Sequence, residues 1–236
     1  MLNVSLGKFR SQYLKKQNQV LYYSINTDGV NEIENLIENF LIEKNSFVFE
    51  SIEKGFIKGR YTIFGKNPDK VWEFNDNLCR LFKGSKVVKL KGNPKENIEK
   101  IIENFKFKIP KELPPISSLI SGYFSYDIIR YIEKIPNKNK DDLKIPDSRI
   151  LRPRNLIVHD NIKKKLYFII NLFKDEKVTN FKNKYNEIIY QIEEMVFASN
   201  FKQNRKQINK KVKLLKVKSN ISKKNFLKNV NKAKKY

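Results

Sequence analysis

Residues 60–90 read RYTIFGKNPDKVWEFNDNLCRLFKGSKVVKL, and this stretch decides the fold class. Arg60–Gly65 reads as a strand closed by glycine, and Lys70–Phe74, Leu78–Phe82 and Lys86–Leu90 read as three more. Between them, Asn75-Asp76-Asn77 and Lys83-Gly84-Ser85 have the turn chemistry of hairpins. Strands joined so tightly pair antiparallel, because a parallel partner needs a long crossover.

Working outward, Ser46–Ser51 reads as a short buried strand that ends in two polar residues, and Lys54-Gly55 as a turn. Asn31–Lys44 carries Ile33, Leu36, Ile37, Phe40 and Leu41 on one helical face, with Asp28 or Asn31 as its cap. Lys95–Phe105 repeats that pattern with Ile98, Ile101, Ile102 and Phe105. A proline-marked loop at Pro110, Pro114 and Pro115 precedes a strand, Leu119–Tyr126, that runs into a short helix, Asp127–Glu133. A polar loop follows over Pro136–Pro146. Asn155–His159 and Lys165–Asn171 form a hairpin across Asp160-Asn161, and Glu176–Phe197 is a third long helix. Val212–Val217 reads as a further strand, and Ser222 as the N-cap of a last helix bearing Phe226, Val230 and Ala233. Blocks of strands separated by helices predict an α+β fold with a mostly antiparallel sheet flanked by helices.

The 236 residues are 40% hydrophobic and 12% aromatic, enough for a sizeable core. There is no apolar run of transmembrane length, and the N-terminal MLNVSLGKFRSQYLKK lacks the apolar stretch of a secretory signal. The single cysteine, Cys79, excludes a disulfide framework. These features predict a cytoplasmic protein with no membrane partner.

The net charge of +24 invites a nucleic-acid partner, but it comes mainly from lysine. Base and phosphate recognition favour the planar fork of arginine. Through most of the chain the lysines alternate with acids, as on a solvated face, so no nucleic-acid partner is expected. Ser199–Tyr236 differs in having no Asp or Glu. It reads either as an arm for an acidic partner or as a loosely packed linker, and the linker is favoured.

Two segments could carry chemistry. In Glu50-Ser51 with Lys58-Gly59-Arg60-Tyr61, a carboxylate and a hydroxyl at a strand end stand near a cationic turn. Such a set can hold an amino acid, with Glu50 for the α-ammonium, Ser51 as hydrogen-bond partner and Lys58 for the carboxylate. It is equally a strand end with satisfied polar groups. In Gly122–Tyr131, GYFSYDIIRY, Tyr126 and Arg130 are either ligand contacts or parts of a packed strand-to-helix corner. His159, the one histidine, stands at a hairpin turn without metal partners or a nucleophile and reads as surface or structural. Cys79 reads as a buried apolar residue. Paired carboxylates, a triad and metal-ligand spacing are all missing, so no catalytic residue and no metal ligand is assigned.

Taken in order, the segments resemble a known family. Phe47-Val-Phe-Glu-Ser51 resembles the Leu-Leu-Glu-Ser stretch of anthranilate synthase component I. Lys58-Gly-Arg-Tyr-Thr-Ile-Phe-Gly65 with Pro68-Asp69 and Val71-Trp72 is similar to its Gly-Arg-Tyr-Ser strand and Pro-Asp turn. Gly122-Tyr-Phe-Ser-Tyr-Asp127 resembles its Gly-Tyr-x-Gly-Tyr-Asp corner, followed by Asp141-Asp142-Leu143, Pro146-Asp147, Leu151-Arg-Pro153 and Asp160-Asn161. Ser222–Tyr236 resembles the helix that opens the family's chorismate-binding domain. The chain departs from the pattern at Ser125, where glycine is usual, and at Val48-Phe49, where leucines are.

The resemblance implies the N-terminal part of the component I α/β sandwich, whose two large sheets are shared with the other half. It implies residues 1–198 as a regulatory domain, 199–221 as a basic linker and 222–236 as the start of a truncated chorismate-binding domain. The family converts chorismate and ammonia to anthranilate and pyruvate in L-tryptophan biosynthesis. It uses Mg²⁺ and a glutamine amidotransferase partner, component II. Its catalytic and metal residues belong to the chorismate-binding domain, so the chain alone is expected to be inactive. By the same match Glu50, Ser51 and Lys58 belong to the L-tryptophan feedback site, and the chain alone is expected to bind tryptophan poorly. The alternatives are aminodeoxychorismate synthase component I of the folate pathway and a free-standing amino-acid-binding module. The Glu50-Ser51 pair followed by Gly59-Arg60-Tyr61 favours the anthranilate enzyme.

Overall fold

The computed structural model describes residues 2–50, 59–76, 78–137, 141, 143–202 and 218–235. They fall into two units, divided between residues 203 and 204. The first unit holds α1 (Leu6–Leu14), β1 (Gln19–Asn26), α2 (Val30–Asn39), β2 (Phe47–Phe49), β3 (Tyr61–Asn75), β4 (Leu78–Lys83) and β5 (Lys86–Lys89). It continues with α3 (Pro94–Asn104), β6 (Ser121–Phe124), a 3-10 turn (Tyr126–Tyr131), β7 (Ser148–Asp160), β8 (Lys165–Leu172) and α4 (Phe181–Asn200). The second unit holds α5 (Lys223–Ala233), capped as expected by Ser222, whose hydroxyl accepts from the Asn225 N–H at 3.3 Å.

Among the described residues all strand pairs are antiparallel, in the order β1-β8-β7-β3-β4-β5, with β2 added to β3 and β6 to β7. The two long strands pair from Tyr61 opposite Asp160 to Phe74 opposite Ser148. On its other side β3 takes β2 at residues 63–65 and β4 at 71–75, and β7 takes β8 at 155–160 and β6 at 148–151. The sheet therefore has two lobes, and β3 and β7 run through both.

The lobes meet where Pro68 lies opposite Pro153, with a register shift between Pro68 and Lys70. Proline has no N–H to give to a ladder, so it belongs at a bulge. Here two prolines face each other at the same rung. This corrects the reading of Arg60–Gly65 and Lys70–Phe74 as separate strands: Pro68 bends the strand without ending it.

On one face of the first lobe, Phe9, Leu36, Phe40, Ile188, Ile192 and Met195 of the helices pack on Leu21, Phe64, Ile157 and Phe168. On the other face, Leu113 and the half-buried Phe107, Ile109 and Ile116 of the proline-rich loop cover Leu156, Val158, Tyr167 and Ile169. Cover on both faces explains why Leu166–Leu172 is nearly continuously apolar rather than alternating. In the second lobe, Ile98 and Ile101 of α3 lie on Trp72, Phe74, Cys79, Leu81 and Ile150. Helix α3 starts with Pro94 behind Asn93, whose side chain accepts from the Glu96 N–H at 2.9 Å.

Further elements differ from expectation. Helix α2 ends at Asn39 instead of Lys44 and starts after Gly29, at φ 82°, with Asp28 Oδ1 accepting from the Val30 N–H at 3.3 Å. The expected strand Leu119–Tyr126 is confined to Ser121–Phe124, and the expected helix Asp127–Glu133 is the 3-10 turn. Helix α4 begins at Phe181 and runs to Asn200, past the Glu176–Phe197 range. Helix α1 and strand β1 were not foreseen. The expected turn Lys54-Gly55 and strand Val212–Val217 lie outside the described residues.

Candidate functional site

The three candidate effector residues follow β2. Phe47 is paired with Gly65, and a Cβ on Gly65 would stand 2.3 Å from the Phe47 ring, so only glycine permits this approach. Strand β2 thus carries Glu50 to its exposed end. Ser51 and Lys58 lie outside the described residues, so Glu50 alone of the three is placed.

The other sequence motifs meet in pairs across the sheet. Arg60 grips Asp160 at two points, Nε to Oδ1 at 3.1 Å and Nη2 to Oδ2 at 2.8 Å. Asn161 closes the same corner, giving its backbone N–H to Arg60 O at 2.8 Å and its side-chain amide to Gly59 O at 3.0 Å. The Asp160 carboxylate also accepts the N–H groups of Ile162 and Lys163 at 3.0 and 3.1 Å. Burial opposes its charge, but the bonds from Arg60 and the two backbone donors outweigh burial and hold its pKa below the ordinary carboxylate range.

At the junction of the lobes, Asp69 takes a two-point contact from Arg152, with Nε to Oδ1 at 2.7 Å. Arg152 also reaches Asp175 Oδ1 at 2.9 Å, and Lys70 pairs with the same carboxylate. Burial would raise the Asp175 pKa, but Lys70 and Arg152 together bring it down to about 2. Beside it Arg154 holds Glu176 at 2.7 Å, yet burial dominates there and leaves the Glu176 pKa raised.

The Gly122–Tyr131 corner is tied to Pro146-Asp147. The Ser125 N–H donates to Asp147 O at 2.7 Å, and the Tyr131 hydroxyl donates to Asp147 Oδ2 at 2.6 Å. Arg130 pairs with Asp127 at 2.5 Å, while Tyr126 is 91% exposed. The structural reading of this corner therefore holds for Arg130, whose charge is engaged within its own turn. Each of these three pairs joins segments far apart in the chain, so the motifs secure the long β3–β7 ladder and its flanks.

His159 is fully buried, with Nε2 3.3 Å from Thr27 O and its ring against Gly29, in keeping with the structural reading. Cys79 is buried as expected, and burial raises its thiol pKa. Among the described residues no three of His, Cys, Asp and Glu gather where a metal ion could sit. These residues offer no ligand set for Mg²⁺. No helix among them is long and apolar enough to cross a membrane. One feature had no trace in the sequence: a cavity built from Asn18 ahead of β1, Lys70 and Trp72 of β3, Arg152 of β7, α3 with the segment after it, and the β8–α4 connection.

Residues 45–236 match the family described as chorismate binding enzyme, and the chain belongs to that family. Among curated proteins it is similar to anthranilate synthase component 1 of Acetivibrio thermocellus, 34% identical over 206 residues, covering 85% of this chain and 42% of that protein. It is likewise similar to anthranilate synthase component 1 of Cereibacter sphaeroides, 29% identical over 164 residues, covering 67% of this chain and 33% of that one. This chain thus spans between a third and about two-fifths of the length of these relatives. The crystal structure of anthranilate synthase component I from Streptococcus pneumoniae TIGR4 aligns with a TM-score of 0.44 and 21% identity, over 65% of this chain and 33% of that chain. The family match begins at residue 45, well before Ser222, where the sequence reading set the start of the chorismate-binding part.

Proposed function

We propose that this chain is the tryptophan-responsive portion of a cytoplasmic anthranilate synthase component I. The observation that carries the proposal is the family match over residues 45–236, joined by 34% identity to an anthranilate synthase component 1 over 85% of the chain. Both ranges take in Glu50-Ser51 and Lys58. Within the chain, residues 1–198 carry the effector site, 199–221 connect, and 222–236 open the catalytic part, all but the first 44 residues falling within the chorismate-binding family match. The complete enzyme forms anthranilate from chorismate, with ammonia delivered by a glutamine amidotransferase subunit. The assigned roles follow from charge and valence. Glu50 receives the α-ammonium of L-tryptophan, Ser51 shares a hydrogen bond, and Lys58 receives the carboxylate.

Calorimetric titration with L-tryptophan tests the site, and anthranilate fluorescence from chorismate plus ammonium tests turnover. The expected results are weak tryptophan binding that Glu50→Gln abolishes, and no anthranilate above the uncatalysed background. Binding unaltered by both Glu50→Gln and Lys58→Ala overturns the site assignment. Anthranilate made by this chain alone overturns the placing of catalysis outside it.

A further inference from the structure

Beside the second lobe lies a cavity of about 360 Å³, within the size range of small-ligand sites. We infer that it binds a small carboxylate carried on an apolar ring. The inference goes beyond the effector role of Glu50 and does not depend on it.

The walls supply the apolar half of the recognition. Trp72 on β3 is 8% exposed and lines the cavity with Ile101 of α3. Phe107 meets Phe173 edge-on, with ring centroids 5.5 Å apart at 83°. The Arg152 guanidinium lies 3.8 Å from the centre of the Phe173 ring. With the Phe173 face already taken by Arg152, Trp72, Ile101 and Phe107 are left to meet a ligand, and the flat, rigid rings of Trp72 and Phe107 suit a ring better than a flexible chain.

The rim supplies the charge. Among the described residues, Lys70, Lys100, Lys106, Arg152 and Lys174 line the cavity against a single carboxylate, Asp175. Lys70 and Arg152 are already engaged by Asp175 and Asp69. Lys100, Lys106 and Lys174 form no ion pair with any described residue, so the rim carries uncompensated positive charge.

Two of these lysines are held in place by their backbones. The Asn18 amide donates to Lys106 O at 2.7 Å, and Asn18 Oδ1 accepts from the Lys174 N–H at 2.8 Å. Asn18 therefore staples the segment after α3 to the segment after β8 and fixes the mouth. A neutral ring would leave the ammonium groups unanswered, and a bare inorganic anion would leave the aromatic walls wet. A ring bearing a carboxylate answers both.

Trp72 is the only tryptophan in the chain and so a built-in reporter. The test titrates the full chain with benzoate and, separately, with benzyl alcohol. It follows Trp72 fluorescence and saturation-transfer difference NMR of the ring protons. Benzoate is expected to bind saturably and benzyl alcohol at least tenfold more weakly. The exposed double variant Lys106→Ala/Lys174→Ala should weaken benzoate about tenfold, the scale of two partly screened charge contacts, with an unchanged thermal melt. The inference is overturned if neither readout detects benzoate, if benzyl alcohol binds as well, or if the double variant binds benzoate unchanged.

Discussion

Arg60 and Asp160 stand one hundred residues apart in the chain and meet in a two-point ion pair at the start of the β3–β7 ladder. The Asp160 side chain is 1% exposed and the Arg60 side chain 32%. The carboxylate is therefore the dependent partner. It needs every donor it has, whereas Arg60 keeps access to water.

Asp160→Ala should consequently cost about 2–3 kcal/mol, the range for leaving buried donors unanswered, because the Ile162 and Lys163 N–H groups lose their acceptor along with Arg60. Arg60→Ala should cost at least as much, because it leaves the buried carboxylate without its counter-charge. Urea unfolding midpoints of the two variants check the ranking, and a clearly smaller loss for Arg60→Ala would show that the two backbone donors satisfy the carboxylate on their own.

Acid should loosen the junction between the lobes. Asp175 has a folded pKa of about 2, below its unfolded value near 4. Its contribution is thus fully present above about pH 4 and is lost as pH falls toward about 2. Asp160 acts in the same direction. Glu176, raised by burial, acts oppositely, since its contribution is lost as pH rises through the folded value. Comparing urea midpoints at pH 5 and pH 2.5, the drop should be smaller for Asp175→Asn than for the parent chain. The effect is modest, because Asp175 is 41% exposed and screened.

Gly29 cannot take a side chain. Its φ is 82°, and a Cβ would stand 2.6 to 2.9 Å from three atoms of the His159 ring. Gly29→Ala should destabilise by about 2–4 kcal/mol, from backbone strain plus overpacking. Adding His159→Ala removes the overpacking but not the strain, so the double variant should lose less than the sum of the single losses. Strict additivity in thermal melts would show that the contact with His159 is not the obstacle.

Cys79 should be chemically silent in the folded chain. Its thiol is buried, lies 3.9 Å from Gly92 O and has a raised pKa. Reaction with a disulfide reagent at pH 8 should run at least a hundredfold slower than in urea, following the scarcity and burial of thiolate. Equal rates would mean that the second lobe opens freely.

Much of the fold was legible because its elements carry their own punctuation. The β4–β5 and β7–β8 hairpins are bounded by Gly84 and by Asp160-Asn161, α5 is capped by Ser222, and α3 shows its apolar stripe at Ile98, Ile101 and Ile102. The continuity of β3 was not legible, because Pro68 ends a strand on local rules and is tolerated only by facing Pro153 across the ladder. Helix α1 escaped notice because Phe9 is its sole buried residue, so it shows no apolar stripe. Strand β1 escaped because five of the eight residues of Gln19–Asn26 are polar or tyrosine, and its identity comes from pairing with β8. Of the three residues proposed for the effector site, Glu50 alone lies among the described residues. The cavity beside Trp72 could not be read locally at all, since Asn18, Lys106 and Lys174 come together only through tertiary contacts.

The shared course of β3 and β7 also sets an order of events in time. Strands β7 and β8 are joined by a short turn and can zip as soon as both exist. Strand β3 must instead find β7 across the whole chain between Asn75 and Ser148, at the entropic cost of closing a long loop. Because β3 serves both lobes, neither lobe can complete its sheet before that search succeeds. The two lobes should therefore complete together, as one cooperative event, once these two strands have met.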